Sequence, residues 1–148
     1  MALFGAAYIS NRTLSILVPI IAMWLSDLVL SNVVYAQYYE GFQWYGNLWV
    51  YAAFIGIAML GFVLLKKVNL KNFLGASILA AVMFFLITNF GAWMTTSMYP
   101  KTGAGLVAAY VAGLPFFMNT LLGNLVFGGV MFGVYNGLFS KRSLATIR

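Results

Sequence analysis

No formal charge occurs anywhere in residues 72–100 or 102–140 of this 148-residue chain, and residues 13–65 hold only Asp27 and Glu40. Stretches of Leu, Val, Ile, Phe, Ala and Gly this long match the ~20 residues a helix needs to cross a bilayer at ~1.5 Å rise each. Charged residues make up 7% of the chain, against about 25% in a soluble domain, so a water-facing surface cannot be assembled and lipid must be the solvent. In hydrocarbon each helix satisfies its own backbone hydrogen bonds. The sequence therefore predicts an all-α, polytopic transmembrane helix bundle forming a single domain over residues 1–148.

Residues 2–9 are apolar but too short to span. They predict an N-terminal helix remnant, either interfacial or the last turns of a longer segment. Ser10, Asn11 and Thr13 then break the run and can cap a helix through side-chain oxygens. About four full crossings follow: 14–31, in which Pro19 should introduce a kink; 48–65; 73–94; and a last one from 116 or 119 to 139. Residues 104–114, cut off by Pro115, predict a short interfacial or re-entrant helix. Residues 12–36 also have the outline of a signal peptide, but the apolar run is longer than a usual signal core and Asp27 interrupts it.

Between the first two crossings lie Tyr35, Tyr38, Tyr39, Phe42, Trp44 and Tyr45, amphipathic rings that prefer headgroup depth. Arg12, Lys66, Lys67, Lys71, Lys141, Arg142 and Arg148 fall on one side of a four-crossing topology and Lys101 on the other. This bias predicts cytoplasmic N and C termini. The net charge of +6 thus reads as topology and predicts no nucleic-acid partner. There is no Cys and no His, which removes thiolate and imidazole chemistry. The eight Met residues show no clustered spacing and read as adaptable core filling. No metal site or cofactor is expected. No nucleophile is paired with a base and no glycine loop is placed to cradle a phosphate, so an enzyme is not expected either.

Asp27, Asn89, Asn119 and Asn124 come from three crossings yet fall at one depth, in the half away from the basic loops. Polar groups in hydrocarbon are costly unless they face a partner or a wet cavity. They predict an outward-facing ligand site walled by Trp24, Trp93, Tyr99 and Tyr110. The competing reading is that Asp27 and the amides lock helices together. No basic residue lies in a crossing to pair with Asp27, which leaves neutralisation by burial, a bond to an amide or tyrosine, or nearby water. Gly129, Gly133 and Gly137 form a flat stripe expected to pack an intramolecular neighbour more often than a partner subunit, and Ala76 and Ala80 form a lesser one.

Residues 2–8 (ALFGAAY), 19–28 (PIIAMWLSDL), 84–93 (FFLITNFGAW), 99–102 (YPKT) and 114–125 (LPFFMNTLLGNL) resemble an uncharacterised bacterial membrane family over nearly the whole chain. That family in turn resembles the substrate-binding S components of energy-coupling factor vitamin transporters, through helix arrangement and small-residue contacts. The resemblance implies residence in the bacterial inner membrane, a small vitamin-like ligand, and an ATP-driven transport module as partner. Family members generally carry an upstream helix and an Asn-Phe-Thr-Pro segment, so the chain resembles a shortened version starting within the second helix. Relatives often have a basic residue and an acid around the Asn-Thr-Leu-Leu-Gly core, where this chain has Met118 and Asn124. From another class comes the alternative of a structural subunit docked into a larger membrane assembly through its glycine stripe.

Overall fold

The computed structural model describes residues 1–38 and 41–145, with side chains described through residue 138. Tyr39, Glu40 and Arg148, and the side chains of Lys141 and Arg142, lie outside that description. Five α-helices carry the architecture: α1 (Ala2–Tyr8), α2 (Arg12–Val29), α3 (Leu48–Leu64), α4 (Leu70–Thr95) and α5 (Gly103–Ala145). A π-helical turn, Leu30–Val34, extends α2, and a short 3-10 turn, Ala36–Tyr38, follows it.

Four of the helices start where a polar side chain can satisfy their free amides. Asn11 Oδ1 accepts from the Thr13 and Leu14 amides at 2.9 and 3.3 Å, as the capping residues of this segment predict. Asn47 accepts from Trp49 at 2.9 Å, Asn69 from Asn72 at 2.8 Å, and Thr102 Oγ1 from Gly105 at 3.2 Å. Lys101 donates to the Trp93 and Thr96 carbonyls, the latter at 2.7 Å, and its ammonium stands 5.8 Å from the Trp93 ring centroid. This isolated lysine therefore covers the carbonyl end of α4, where a cation is favoured.

The helices α2, α3, α4 and α5 follow one another as an arc, each packed on the next, while α2 and α5 share no seam. Helix α1 lies against α2, α3 and, more lightly, α5. Its first turn is built into the bundle: Ala2 and Leu3 are buried in a core with Ile57, Ala58, Phe73, Ala76, Ala80 and Phe132. Glycines make the approach possible. A Cβ at Gly61 would overlap Ala6, and one at Gly5 would stand 2.9 Å from the Ser15 carbonyl oxygen, which Pro19 leaves without its helical donor. Helix α2 continues through Pro19 to Val29.

Helices α2 with its π turn (Arg12–Val34), α4 and the Gly103–Leu138 part of α5 are long and apolar enough to cross a membrane, and α3 is a shorter apolar helix of 17 residues. Residues 104–114 correct the expectation of a separate short helix, because they are the first turns of the 43-residue α5, which runs unbroken through Pro115. Proline removes one N–H, but unwinding there would strand more backbone groups without water. Side chains also hold these turns on α4: Tyr110 donates to the Leu86 carbonyl at 3.0 Å, and Gly113 lies directly under the Asn89 amide.

Candidate functional site

At the end of the bundle away from Arg12 and Lys66, the segment after α2 is folded back and pinned. Asn32 Nδ2 donates to the Gln43 carbonyl at 2.8 Å while the Gln43 amide donates to Asn32 Oδ1 at 2.7 Å. Trp24 Nε1 donates to the Trp44 carbonyl at 2.9 Å, and the Trp44 ring meets Phe42 edge-on at 4.8 Å. Asp27, half-buried, accepts from the Tyr51 hydroxyl at 2.5 Å, and Gly46 leaves room for its carboxylate. Of the fates open to this acid, the tyrosine bond is the one observed. It ties α2 to α3.

The other predicted polar residues lie elsewhere. Asn89 donates back to the Phe85 carbonyl of its own helix at 2.8 Å and closes on Gly113 in the α4–α5 seam. Trp93 Nε1 donates to the Pro100 carbonyl at 3.0 Å. Asn119 is exposed on the outer surface of α5, and Tyr99 is half-buried in the turn before it. No hydrogen bond among the described residues joins any two of Asp27, Asn89, Asn119 and Asn124. Nor do they share one depth: Asn89 closes on Gly113 and Asn124 on Ser77, so Asn119 and Asn124 lie further along α5 toward the basic end than the level of Asn89.

What the fold does enclose is a cavity of about 290 Å³ in the half nearer the basic end. Its wall combines Met23 of α2, Phe54 and Ile57 of α3, Phe73 and Phe84 of α4, Leu3 and Phe4 of α1, and the α5 face bearing Thr120, Gly123, Asn124, Phe127 and Phe132. Met23 stands across from α5 where those two helices do not pack, and Phe127, 73% exposed, marks the rim. Asn124 is the one predicted ligand residue in this wall. Its amide donates to the Ser77 carbonyl at a long 3.4 Å, and the buried Ser77 hydroxyl behind it has no partner. A Cβ on Gly123 would meet nothing within 4 Å. An apolar, aromatic wall with a few polar groups is the usual make-up of a small-molecule site. Nothing in the sequence marked Met23, Phe54 or Phe84 for this place, since each reads as ordinary bundle filling.

The glycine stripe also requires correction. Gly129, Gly133 and Gly137 are exposed, and a Cβ on any of them would meet nothing within 4 Å, so no described side chain is packed tightly on them, although Gly129 and Gly133 border a hollow with Leu70 and Phe73. The close approaches on α5 belong to Gly105 on Pro100, Gly113 on Asn89 and Gly128 on Phe73. The Ala76 and Ala80 stripe is fully buried.

An arc of apolar helices, three of them long enough to cross a membrane, with a side cavity defines a polytopic helical membrane protein. The sequence matches a family of unknown function, DUF6580, over residues 1–146, and the chain belongs to it. No curated protein and no solved structure matches, so these comparisons add nothing to the resemblance to S components.

Proposed function

We propose that this protein binds a small, largely apolar solute within the bilayer, in the cavity between α5 and the other helices. The observation that carries the reading is the cavity wall itself: aromatic and thioether side chains from five helices around the Asn124 amide, reached through the gap between α2 and α5. The apolar wall would take the body of the solute, and Asn124 with Thr120 would orient a polar atom on it. A vitamin-like solute of the kind bound by S components fits this chemistry. Transport would then require an ATP-driven partner, because the chain carries no phosphate-cradling glycine loop. The distribution of Lys and Arg supports both termini on the cytoplasmic side, and the resemblance to a bacterial membrane family supports the bacterial inner membrane.

Thermal unfolding of the purified protein in lipid nanodiscs, against a panel of vitamins and apolar amphiphiles, tests the proposal. At least one compound should raise Tm, and Gly123→Leu, which projects into the cavity, should abolish that rise while leaving the unliganded Tm in place. A rise undiminished by Gly123→Leu, or none with any compound, would sink it.

The exposed Gly129, Gly133 and Gly137 face supports a second reading, a subunit docked into a larger assembly. Purification from native membranes with a stoichiometric partner that Gly133→Leu removes would favour it over solute binding.

A further inference from the structure

At the basic end, α1, α2 and α3 surround a second concavity, of about 390 Å³, formed by the last turn of α1 with Ile9 and Ser10, by Arg12 at the start of α2, and by Phe62, Leu65 and Lys66 at the end of α3. The Arg12 guanidinium is held 5.7 Å from the Phe62 ring centroid, which sets it over this hollow, and Lys66 stands exposed on the same wall. Two cations thus share one depression, and no acid among the described residues neutralises them. The acids of the chain are Asp27 and Glu40. Asp27, the one acid among the described residues, is bonded to Tyr51 near the far end of α2. The hollow is thus open to an anion from outside.

The depth of the hollow selects the source of that anion. Arg12 opens the apolar span of α2, and Lys66 follows α3 by two residues, so both stand where the chain leaves the hydrocarbon. Phe62, Leu65 and Ile9 supply an apolar side to the same hollow. A phosphate that arrives with glycerol and acyl chains uses both kinds of wall, whereas a free phosphate uses the cations alone. We propose that this concavity seats the headgroup of one anionic glycerophospholipid, with Arg12 and Lys66 on its phosphate and the Ser10 hydroxyl within the same wall. Arginine suits the role because its planar fork can hold two phosphate oxygens at once, and basic pockets between transmembrane helices are a recurrent form of lipid recognition.

The test is native mass spectrometry of the full chain released from mixed micelles of phosphatidylglycerol and phosphatidylcholine, with Tm measured alongside. One phosphatidylglycerol should be retained per protein with roughly tenfold preference or more. Arg12→Gln with Lys66→Gln should bring the preference to about unity. Lys67→Gln with Lys71→Gln, which removes two basic groups outside the hollow, should leave it. Equal retention of the two lipids by the wild type would overturn the proposal, as would equal loss in both double variants, which would mean diffuse surface charge. Inorganic phosphate raising Tm as much as the lipid does would instead point to a free-anion site and defeat the assignment. Should the first double variant not fold, Lys66→Gln alone decides, and an unchanged preference in it counts against the proposal.

Discussion

Two flanks of α5 are built from the same kinds of residue and end differently. Toward α4 the seam is closed, with Gly113 under Asn89, Gly128 under Phe73, and Ala76, Ser77 and Ala80 buried. Toward α2 it is open, and Met23 faces Thr120, Gly123 and Phe127 across a cavity. Between helices in lipid there is no water-driven hydrophobic force, so a seam closes only where small residues lie opposite larger ones and contacts accumulate. The α4–α5 pair meets that condition at Gly113 and Gly128, and opens only at its basic end, where Leu70 and Phe73 border a hollow with Gly129 and Gly133. On the α2 side Gly123 has no bulky side chain opposite it, and a void remains. A glycine in a membrane helix marks a seam only when something is there to fill it.

The contrast can be broken most severely at Gly113. Gly113→Leu drives a side chain into the Asn89 amide, and an overpacked seam should lose about 1–3 kcal/mol, read as a fall in Tm in detergent; an unchanged Tm would mean the seam is less tight than described. A smaller loss is expected from Tyr51→Phe, which keeps the ring but removes the donor to Asp27. Hydrogen bonds between transmembrane helices average about 0.6 kcal/mol and reach about 1.7, and faster proteolysis of the 35–47 segment should accompany the change. Glycines with open space beside them should barely respond: Gly123→Leu on the α2 flank and Gly133→Leu at the basic end of the α4 flank are each expected within about 0.5 kcal/mol of wild type for the unliganded protein. A large destabilisation by Gly123→Leu would show that the cavity is already filled by side chains in solution, and one by Gly133→Leu would show that the stripe is covered in the purified state.

The uneven legibility of this chain follows from its solvent. Helix starts could be read at Asn11 because capping is local chemistry, and the spans because length and hydropathy are additive along the chain. The faces could not. A soluble helix turns its apolar side inward, but α3, α4 and α5 are apolar all round, so periodicity carries no sign of which side meets protein and which meets lipid. Asn89 and Asn119 are the same residue within two apolar spans, yet Asn89 closes on Gly113 and Asn119 is exposed. The tyrosine partner of Asp27 was among the sequence's alternatives, whereas its separation from Asn89 depends on which helices adjoin in the arc. The continuity of α5 through Pro115 was hidden for a related reason, since proline is a breaker in water and is tolerated where unwinding has no solvent to accept it.

The unequal helices have a consequence for the bilayer itself. Helix α3 has 17 residues, about 26 Å of rise, while the apolar part of α5 has 36, about 54 Å, against a hydrocarbon slab of about 30 Å. One flank of the molecule is matched to a thin membrane and the opposite flank to a thick one. A long stretch is accommodated by tilt or by thickening of the bilayer around it and a short one by thinning, at fractions of a kcal/mol per ångström of mismatch, so α5 and α3 pull the surrounding lipid in opposite directions. The protein would thereby impose a lateral gradient of thickness on its surroundings, and it should favour regions of membrane where such a gradient already exists.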